Sequence, residues 1–272
     1  MTLFQSLILG VIQGISEFIP ISSSGHLVLA PYIFSWEISQ NEAFIFDILV
    51  QVATLFAVIV YFWKDLLNII KAFLFGIKNK TPFQDQQSLL GWYLILATIP
   101  AGLMAILFKD TFEQAFSDPK SSAFFLLITS LLLILGELIG KRSRTLENIN
   151  FFDVLVIGLF QVLALLPGIS RSGSTITGGL LRGLDRKSSA RFSFLMAVPV
   201  MLAAGLLATI DLFQYPGLSS QIPVYIAGFI AAALVGYLAI RWFIEYLSSQ
   251  SLYLFAGYCA LLGSVMLILI SQ

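Results

Sequence analysis

The sequence predicts an all-α polytopic membrane protein, with about six transmembrane helices and two re-entrant helical hairpins arranged as an inverted-topology repeat. Of its 272 residues, 58% are hydrophobic and only 11% are charged, whereas soluble domains carry about 25% charged residues. Long uncharged stretches recur along the chain, and two other apolar stretches are interrupted by clusters of Ser, Gly and Pro. The composition excludes a soluble enzyme.

The uninterrupted stretches supply the transmembrane helices, because a span needs about 20 apolar residues. Six stretches qualify, namely 44–63, 89–108, 121–140, 192–210, 222–244 and 251–270. The two interrupted stretches are 3–35, which contains PISSSGH (20–26), and 151–182, which contains PGISRSGST (167–175). We do not expect a secretory signal at the start of the chain, because such signals need early basic residues and the first one here is Lys64.

The basic residues predict the orientation, because cytoplasmic loops concentrate Lys and Arg. They predict an inside location for the loop after 44–63 (with Lys64, Lys71, Lys78 and Lys80), for 141–150 and for 182–191, and an outside location for 31–43, 109–120 and 211–221. The chain then enters the membrane from inside after residue 150 and is inside again by residue 182. The second interrupted stretch must therefore turn back within the bilayer, and by the same count the first dips in from outside.

The two hairpins also resemble each other in sequence. At an offset of 148 residues Gly10 aligns with Gly158, and the same offset pairs Gln13 with Gln161, Ile21 with Ile169, Ser22 with Ser170, Ser24 with Ser172 and Gly25 with Gly173. We therefore predict a single integral membrane domain, 1–272, whose repeat halves are approximately 1–108 and 151–244. Inverted repeats place their polar sites near the bilayer midplane, where broken helices expose backbone N–H groups.

Polar residues inside a membrane are costly and therefore indicate function. Glu17 lies four residues after Gln13, so both side chains share one helix face. This carboxylate could bind a divalent metal, serve as a general base, or pair with an arginine. His26 is the only histidine, and its place in the turn between broken helices indicates a functional role. The neighbouring polar residues are Ser16, Ser22, Ser23 and Ser24, of which any could be an ordinary helix cap.

Arg171 is the only cation in the middle of a predicted hairpin. It could pair with Glu17 as a structural strut, or it could hold a phosphate through its planar fork of donors. We favour phosphate, because helix-start N–H groups and nearby hydroxyls suit an anion; the hydroxyls belong to Ser170, Ser172, Ser174 and Thr175. A carboxylate, an imidazole, hydroxyls and an arginine together suit phosphoryl transfer.

Three motifs carry a family resemblance. QGISEFIPISSSGH (13–26), PGISRSGST (167–175) and FSFLMAVP (192–199) resemble signature regions of the bacterial undecaprenyl-diphosphate phosphatases of the bacitracin-resistance type. The similarity runs along nearly the whole chain. It implies a multi-pass enzyme of the bacterial inner membrane that hydrolyses a polyprenyl diphosphate lipid, undecaprenyl diphosphate, to undecaprenyl phosphate and inorganic phosphate. That reaction recycles the lipid carrier for peptidoglycan synthesis, at a site open to the outer, periplasmic face.

The resemblance also implies site residues and a cofactor. Its first region has Glu or Gln, then three residues, then Glu, so Gln13 matches the less-charged form and shifts the weight of any metal site to Glu17. The family implies dependence on Mg²⁺ or Ca²⁺, with Glu17 as the candidate ligand. We predict the catalytic residues Glu17, Ser23, His26 and Arg171, and the phosphate-binding residues Gln13, Ser22, Ser24, Ser170, Ser172 and Thr175.

The nucleophile remains open between Ser23, His26 and a water activated by Glu17 or His26. We favour Ser23, assisted by Glu17 and His26, because a hydroxyl nucleophile needs an adjacent base. The strings SGH (24–26) and SR (170–171) also resemble the type-2 phosphatidic acid phosphatases. Their mechanism uses two histidines, and this chain has one.

Two other functions are consistent with the pattern. An inverted repeat with broken helices is transporter architecture, so a transporter or flippase of a phosphorylated lipid is the alternative. A non-catalytic scaffold would leave the buried charges unexplained. With no net charge we expect no nucleic-acid partner, and the single Cys259 excludes an internal disulfide. We expect membrane lipids around the chain, and the sequence leaves a homodimer open.

Overall fold

The structure is a computed structural model that describes the backbone of residues 1–108, 111–112, 118–212 and 218–271, and the side chains of these residues except 204 and 206–220. Helices dominate these parts of the chain, which confirms the all-α fold class. The described α-helices are α1 (Leu3–Phe18), α2 (Ser23–Ile33), α3 (Gln40–Tyr61), α4 (Trp63–Lys78), α5 (Gln86–Leu107), α6 (Pro119–Ile139), α7 (Phe151–Leu163), α8 (Arg171–Leu181), α9 (Arg186–Leu212), α10 (Leu218–Tyr246) and α11 (Tyr253–Ile270).

Five helices in the described part of the chain are long and apolar enough to cross a membrane. They are α3, α5, α6, α11 and the portion Gln221–Tyr246 of α10, and they begin and end within a few residues of five predicted spans. A polytopic membrane protein is therefore confirmed. The sixth predicted span, 192–210, lies in α9 and remains a prediction. The predicted outer loops 109–120 and 211–221 lie partly outside the described residues.

Each interrupted stretch folds into two short helices joined by a turn. Helices α1 and α2 pack against each other around residues 19–22, and α7 and α8 do so around residues 164–170. The longest of these four helices, α1, has 16 residues, which spans about 24 Å at 1.5 Å per residue. Because the hydrocarbon core is about 30 Å thick, none of the four crosses it alone, as a re-entrant hairpin requires.

Proline and glycine explain where the hairpins break. Pro20 follows the end of α1, where it removes a backbone donor and turns the preceding residue away from helical geometry. In the second turn Gly168 has φ of +98°, a conformation that suits glycine. A Cβ on Gly168 would also lie 2.3 Å from the carbonyl oxygen of Ser122 on α6. The second turn therefore sits directly against the backbone of α6.

The two halves of the chain pack in corresponding ways. Helix α1 packs along α10, and α7 packs along α5. In both pairs a glycine permits the close approach. A Cβ on Gly10 would lie 2.4 Å from the Gly228 carbonyl oxygen, and a Cβ on Gly158 would lie 2.8 Å from the Ala97 carbonyl oxygen. Gly10 and Gly158 are the two residues that the sequence offset aligns. This correspondence supports the inverted repeat, whose boundaries remain a prediction.

Helix α4 differs from the sequence analysis, which expected an inside loop because of its lysines. Its apolar residues recur every three or four positions and pack against α5. A Cβ on Gly91 of α5 would lie 3.2 Å from Ile69 and 3.0 Å from Phe73. The lysines at positions 64, 71 and 78 are exposed and seven residues apart, so they share one face of the helix. The segment is an amphipathic helix rather than a loop.

Two buried carboxylates hold together the segments around α6, α7 and α9. Their side chains are fully buried, and each pairs with two arginines: Arg142 and Arg186 with Glu137, and Arg144 and Arg182 with Asp153. Glu137 also accepts a hydrogen bond from the backbone N–H of Leu252 at 2.9 Å. Buried charges are tolerated when paired in this way. Four basic residues that predict the inside face are therefore also partners in the fold.

Candidate active site

The turns of the two hairpins touch each other. A Cβ on Gly25 would lie 3.1 Å from the Cα of Gly168, and a Cβ on Gly173 would lie 3.4 Å from the Cβ of Pro20. The N–H of Gly168 donates to Ser24 Oγ at 3.5 Å. Because each turn leads directly into a helix, the N-terminal ends of α2 and α8 meet here. Their aligned backbone dipoles favour an anion at this point.

Ser22 and Ser170 cap these two helix starts. Ser22 Oγ accepts a hydrogen bond from the N–H of Gly25 at 3.2 Å, and Ser170 Oγ accepts one from the N–H of Gly173 at 3.0 Å. Both serines are buried. In this structure two of the five hydroxyls predicted to bind phosphate are therefore helix caps, which is the ordinary use of serine at this position.

Glu17 is the centre of a hydrogen-bonded cluster near the end of α1. The residue is only 8% exposed. Its Oε1 accepts from Arg171 Nη2 at 2.8 Å, and its Oε2 accepts from Ser23 Oγ at 2.6 Å and from Gln13 Nε2 at 3.1 Å. The structure thus brings together four of the residues singled out in the sequence. We call these four residues the carboxylate cluster, and it joins the two hairpins.

Arg171 is the first residue of α8 and uses only part of its donor set on Glu17. Its Nη1 is buried and has no hydrogen-bond partner among the described residues. A buried donor without a partner costs about 1–3 kcal/mol, and more when the group is charged. A ligand that accepts from Nη1 would remove this cost. The guanidinium therefore pairs with Glu17 through Nη2, and its Nη1 can still donate to an anion.

His26 is bound to groups outside the carboxylate cluster. Its Nδ1 lies 2.7 Å from the carbonyl oxygen of Ser22, and its Nε2 lies 2.7 Å from Tyr258 Oη. The imidazole and the Tyr258 ring are nearly parallel, with 5.6 Å between ring centroids and 9° between planes. These contacts tie His26 to the first turn and to α11.

Ser172 and Thr175 lie on the buried side of α8. Ser172 Oγ is 3.1 Å from Ser170 Oγ. Thr175 Oγ1 lies 2.7 Å from the carbonyl oxygen of Arg171 and 2.7 Å from Ser193 Oγ on α9. Both side chains are fully buried. Their hydroxyls fasten the first turn of α8 to its surroundings, and in this structure they do not join the carboxylate cluster.

Three residues that contact the two hairpins were missed in the sequence: Thr129, Ser193 and Tyr258. Thr129 Oγ1 donates to the carbonyl oxygen of Gly168 at 2.8 Å and accepts from the N–H of Ser170 at 3.0 Å, so α6 fixes the second turn. Thr129 and Ser193 carry a signal, because they are polar residues inside apolar stretches. Tyr258 carries none, because tyrosine is common where membrane helices meet the interface.

The carboxylate cluster offers few ligands for a divalent metal. In the described parts of the chain, no group of three or more His, Cys, Asp and Glu side chains could hold a metal ion. However, Gln13 Oε1 is buried and lacks a hydrogen-bond partner within the described structure, while Gln13 Nε2 bonds to Glu17. Mg²⁺ and Ca²⁺ prefer oxygen ligands, and Mg²⁺ is commonly held by one or two carboxylates plus phosphates and water. The donor set fits a cation that also binds substrate phosphate.

Comparison with known proteins places the chain in a family. The family model described as bacitracin resistance protein BacA matches residues 6–265. An undecaprenyl-diphosphatase of Moorella thermoacetica is 40% identical over 265 residues, covering 97% of each chain. An undecaprenyl-diphosphatase of Thermomicrobium roseum is 39% identical over 278 residues, covering 100% of this chain and 99% of that protein. One from Mycolicibacterium smegmatis is 39% identical over 272 residues, covering 99% and 97%. The chain therefore belongs to the bacitracin resistance protein BacA family.

Proposed function

We propose that the chain hydrolyses undecaprenyl diphosphate to undecaprenyl phosphate and inorganic phosphate, which returns the lipid carrier to peptidoglycan synthesis. The observation that carries the proposal is the carboxylate cluster. In it a hydroxyl, a carboxylate and an arginine with one unpaired Nη atom in the described structure meet where two helices begin. The substrate class comes from the relatives, which are named undecaprenyl-diphosphatase and align along nearly the full chain.

Ser23 is the proposed nucleophile, and Glu17 is its base. The hydroxyl already donates to Glu17 Oε2 at 2.6 Å, which is the arrangement that activates a hydroxyl. Ser23 Oγ bonds to the terminal phosphorus while its proton passes to Glu17. The bond from that phosphorus to the bridging oxygen breaks, and its electron pair leaves with undecaprenyl phosphate. Water then hydrolyses the phosphoserine and releases inorganic phosphate.

Arg171 stabilises the charge that develops on the transferred phosphoryl group. Its Nη1 is unpaired in the described structure, and its Nη2 holds Glu17 at 2.8 Å. One guanidinium thus positions the base and binds the phosphoryl oxygens. Preorganised donors of this kind supply a large part of catalysis, because they need no rearrangement during the reaction.

His26 is assigned to proton transfer. Ser23 and His26 are three residues apart at the start of α2, so their side chains lie on neighbouring positions of one helix face. Nε2 is the ring nitrogen that can take up a proton, because Nδ1 is bound to a backbone carbonyl, and the Nε2 lone pair faces the hydroxyl of Tyr258 at 2.7 Å. We assign it to the proton released when water attacks the phosphoserine.

The resemblance implies a divalent cation, Mg²⁺ or Ca²⁺. Glu17 and Gln13 Oε1 would hold it together with substrate phosphate. When bound, the cation would neutralise phosphate charge and orient the diphosphate.

The enzyme is proposed to lie in the bacterial inner membrane with its site open to the outer side. The distribution of basic residues supports this orientation, since Lys and Arg cluster around 64–80, 141–150 and 182–191. The exposed lysines of α4 and the arginines near α8 and α9 then face inside. The polyprenyl tail of the substrate would remain in the lipid while its diphosphate reaches the turns.

A transporter or flippase of a phosphorylated lipid is the second candidate. It is favoured by one observation: the ion pair between Glu17 and Arg171 joins the two proposed repeat halves, as expected of a clamp at the centre of an inverted repeat. In that case the diphosphate would bind and move across the membrane without being cleaved.

Phosphate release by purified protein in detergent distinguishes the two functions. We expect one inorganic phosphate per undecaprenyl diphosphate consumed. The same preparation carrying Glu17→Gln controls for a contaminating phosphatase and should release phosphate about 1000-fold more slowly. Binding of the lipid by the wild type without phosphate release would overturn the hydrolase proposal in favour of transport.

A further inference from the structure

We propose that Tyr258 holds His26 in position, and that its hydroxyl links Nε2, the proton-accepting atom of the imidazole, to the attacking water. Tyr258 lies on α11, 232 residues along the chain from His26. The inference deepens the proposed function and rests on it, because it gives His26 the proton-transfer role described above.

The hydrogen bonds of the ring determine its tautomer. Nδ1 lies 2.7 Å from the backbone carbonyl oxygen of Ser22, and a carbonyl oxygen can only accept. Nδ1 must therefore carry the proton of the neutral imidazole. Nε2 then has a lone pair, and it accepts from the hydroxyl of Tyr258 at 2.7 Å. A proton released by the attacking water therefore reaches Nε2 through this hydroxyl, which takes up that proton on its oxygen while it passes its own proton to Nε2. The partner of one ring nitrogen thus decides what the other can do.

The two rings lie edge to edge, because their planes are nearly parallel, with 9° between them, while Nε2 and the Tyr258 oxygen are only 2.7 Å apart. Tyr258 is 41% exposed, so the contact lies at an open edge of the site rather than in the core. A histidine at such an edge would otherwise turn about its side-chain bonds, and the hydrogen bond to the hydroxyl prevents this.

Helix α11 is itself placed firmly against the site. The residue after Tyr258 is Cys259, which is buried and whose sulfur lies 3.9 Å from the carbonyl oxygen of Pro20 in the first turn. On the next turns of α11, a Cβ on Gly263 would lie 2.8 Å from the carbonyl oxygen of Ala123 on α6. The position of Tyr258 is therefore set by close packing.

The first turn alone receives this support. Helix α11 lies outside both proposed repeat halves, and the residue of the second turn that aligns with His26 is Ser174. Ser174 Oγ donates to the carbonyl oxygen of Arg171 within its own helix. A tyrosine at position 258 is thus matched to the one turn that carries an imidazole.

Tyr258→Phe tests the hydroxyl, because phenylalanine keeps the ring and removes only the hydroxyl. We expect kcat to fall about tenfold, the effect of losing one orienting hydrogen bond of about 1.4 kcal/mol, with KM changed less than twofold. Tyr253→Phe is the matched control, since it removes a hydroxyl from the same helix, and it should leave both constants unchanged. Wild-type kcat in Tyr258→Phe would overturn the inference.

Nitrogen NMR of the ring gives a second readout that needs no turnover. His26 is the only histidine, so protein grown with ¹⁵N-histidine gives signals from that ring alone. At a pH where the imidazole is neutral, the wild type should show a protonated Nδ1 and a hydrogen-bonded, unprotonated Nε2. Tyr258→Phe should shift Nε2 towards the value of a free lone pair. A protonated Nε2 in the wild type, or an unchanged Nε2 in Tyr258→Phe, contradicts the inference even if the protein proves to be a transporter.

Discussion

The two hairpin turns share a serine cap but carry different chemistry. In both, a serine caps the following helix and accepts from the N–H three residues later, as Ser22 does from Gly25 and Ser170 from Gly173. The aligned side chains nevertheless differ. Glu17 aligns with a leucine, Ser23 with Arg171, and His26 with Ser174. The first turn supplies a carboxylate, a hydroxyl and an imidazole, whereas the second supplies a cation.

The shared caps set the backbone of the site, and the side chains that differ provide its reactive groups. Equal caps place two helix starts against each other, and any pair of such turns would attract an anion. Only the unequal residues provide a nucleophile, its base and a charged clamp. Neither turn is complete alone, because Arg171 reaches across to Glu17 at 2.8 Å. We therefore regard the contact between the turns as the site.

The largest effect is expected at Ser23. Ser23→Ala removes the hydroxyl that bonds to Glu17, and turnover should fall at least about 10⁴-fold, as when a nucleophile is lost. Ser24→Ala is the neighbouring control, since Ser24 Oγ contacts Gly168 and Ser22 instead, and it should lower turnover less than about tenfold. Phosphate release measures both. Equal losses in the two variants would assign the attack to another group.

Glu17→Gln should lower turnover about 1000-fold, within the range for loss of a general base. Glutamine keeps the shape of the side chain, so the protein should still fold and melt cooperatively. Glu37→Gln, which changes an exposed carboxylate in the loop before α3, should retain full activity. Turnover near that of the wild type in Glu17→Gln would refute its role as the base.

The caps of the two turns should also differ in how much they contribute to stability. Ser22 has φ of +72°, a conformation that favours glycine, whereas Ser170 has φ of −69°. Ser22→Gly should therefore leave the melting temperature nearly unchanged, because relief of the backbone offsets the lost cap. Ser170→Gly lacks this relief and should destabilise by a few tenths of a kcal/mol, and Ser170→Ala by about 1 kcal/mol. A larger loss in Ser22→Gly than in Ser170→Gly would contradict this reading of the turns.

The smallest effect is expected at Gln13. Gln13→Glu creates the two-carboxylate form that the family resemblance also contains, so activity should stay within a few-fold of the wild type. A second carboxylate should also strengthen the dependence of activity on Mg²⁺ or Ca²⁺. Titration of activity with each ion checks this, and loss of activity at every ion concentration would exclude the tolerance expected.

The sequence predicted those parts of the fold that leave a local pattern. The broken helices followed from clusters of Ser, Gly and Pro, and the spans followed from uncharged length. Helix α4 was missed because a run of lysines is typical of a loop. The packing of Ile69 and Phe73 against α5 depends on tertiary structure. In that segment the lysines thus predicted a loop, although the spacing of the apolar residues is helical.

The candidate site shows the same division. Glu17, Ser23 and Arg171 were singled out because polar residues in a membrane indicate function, and the structure places them in contact. Ser22 and Ser170 are predicted to bind phosphate; their hydroxyls cap helices, and their contact with phosphate stays a prediction. Tyr258 and Thr129 were missed, because α11 and α6 bring them to the turns from outside the proposed repeat. Contacts between distant segments leave no periodic signal in the sequence.

The turnover of Arg171→Lys decides whether Arg171 binds the phosphoryl group or only pairs with Glu17. Lysine keeps the charge and can still pair with Glu17, but it loses the second prong, Nη1, that the account assigns to phosphate. We predict that turnover falls at least about 100-fold, as when a preorganised donor is removed, with little change in the melting temperature. An Arg171→Lys protein as active as the wild type would contradict the account and leave Arg171 as a strut for Glu17.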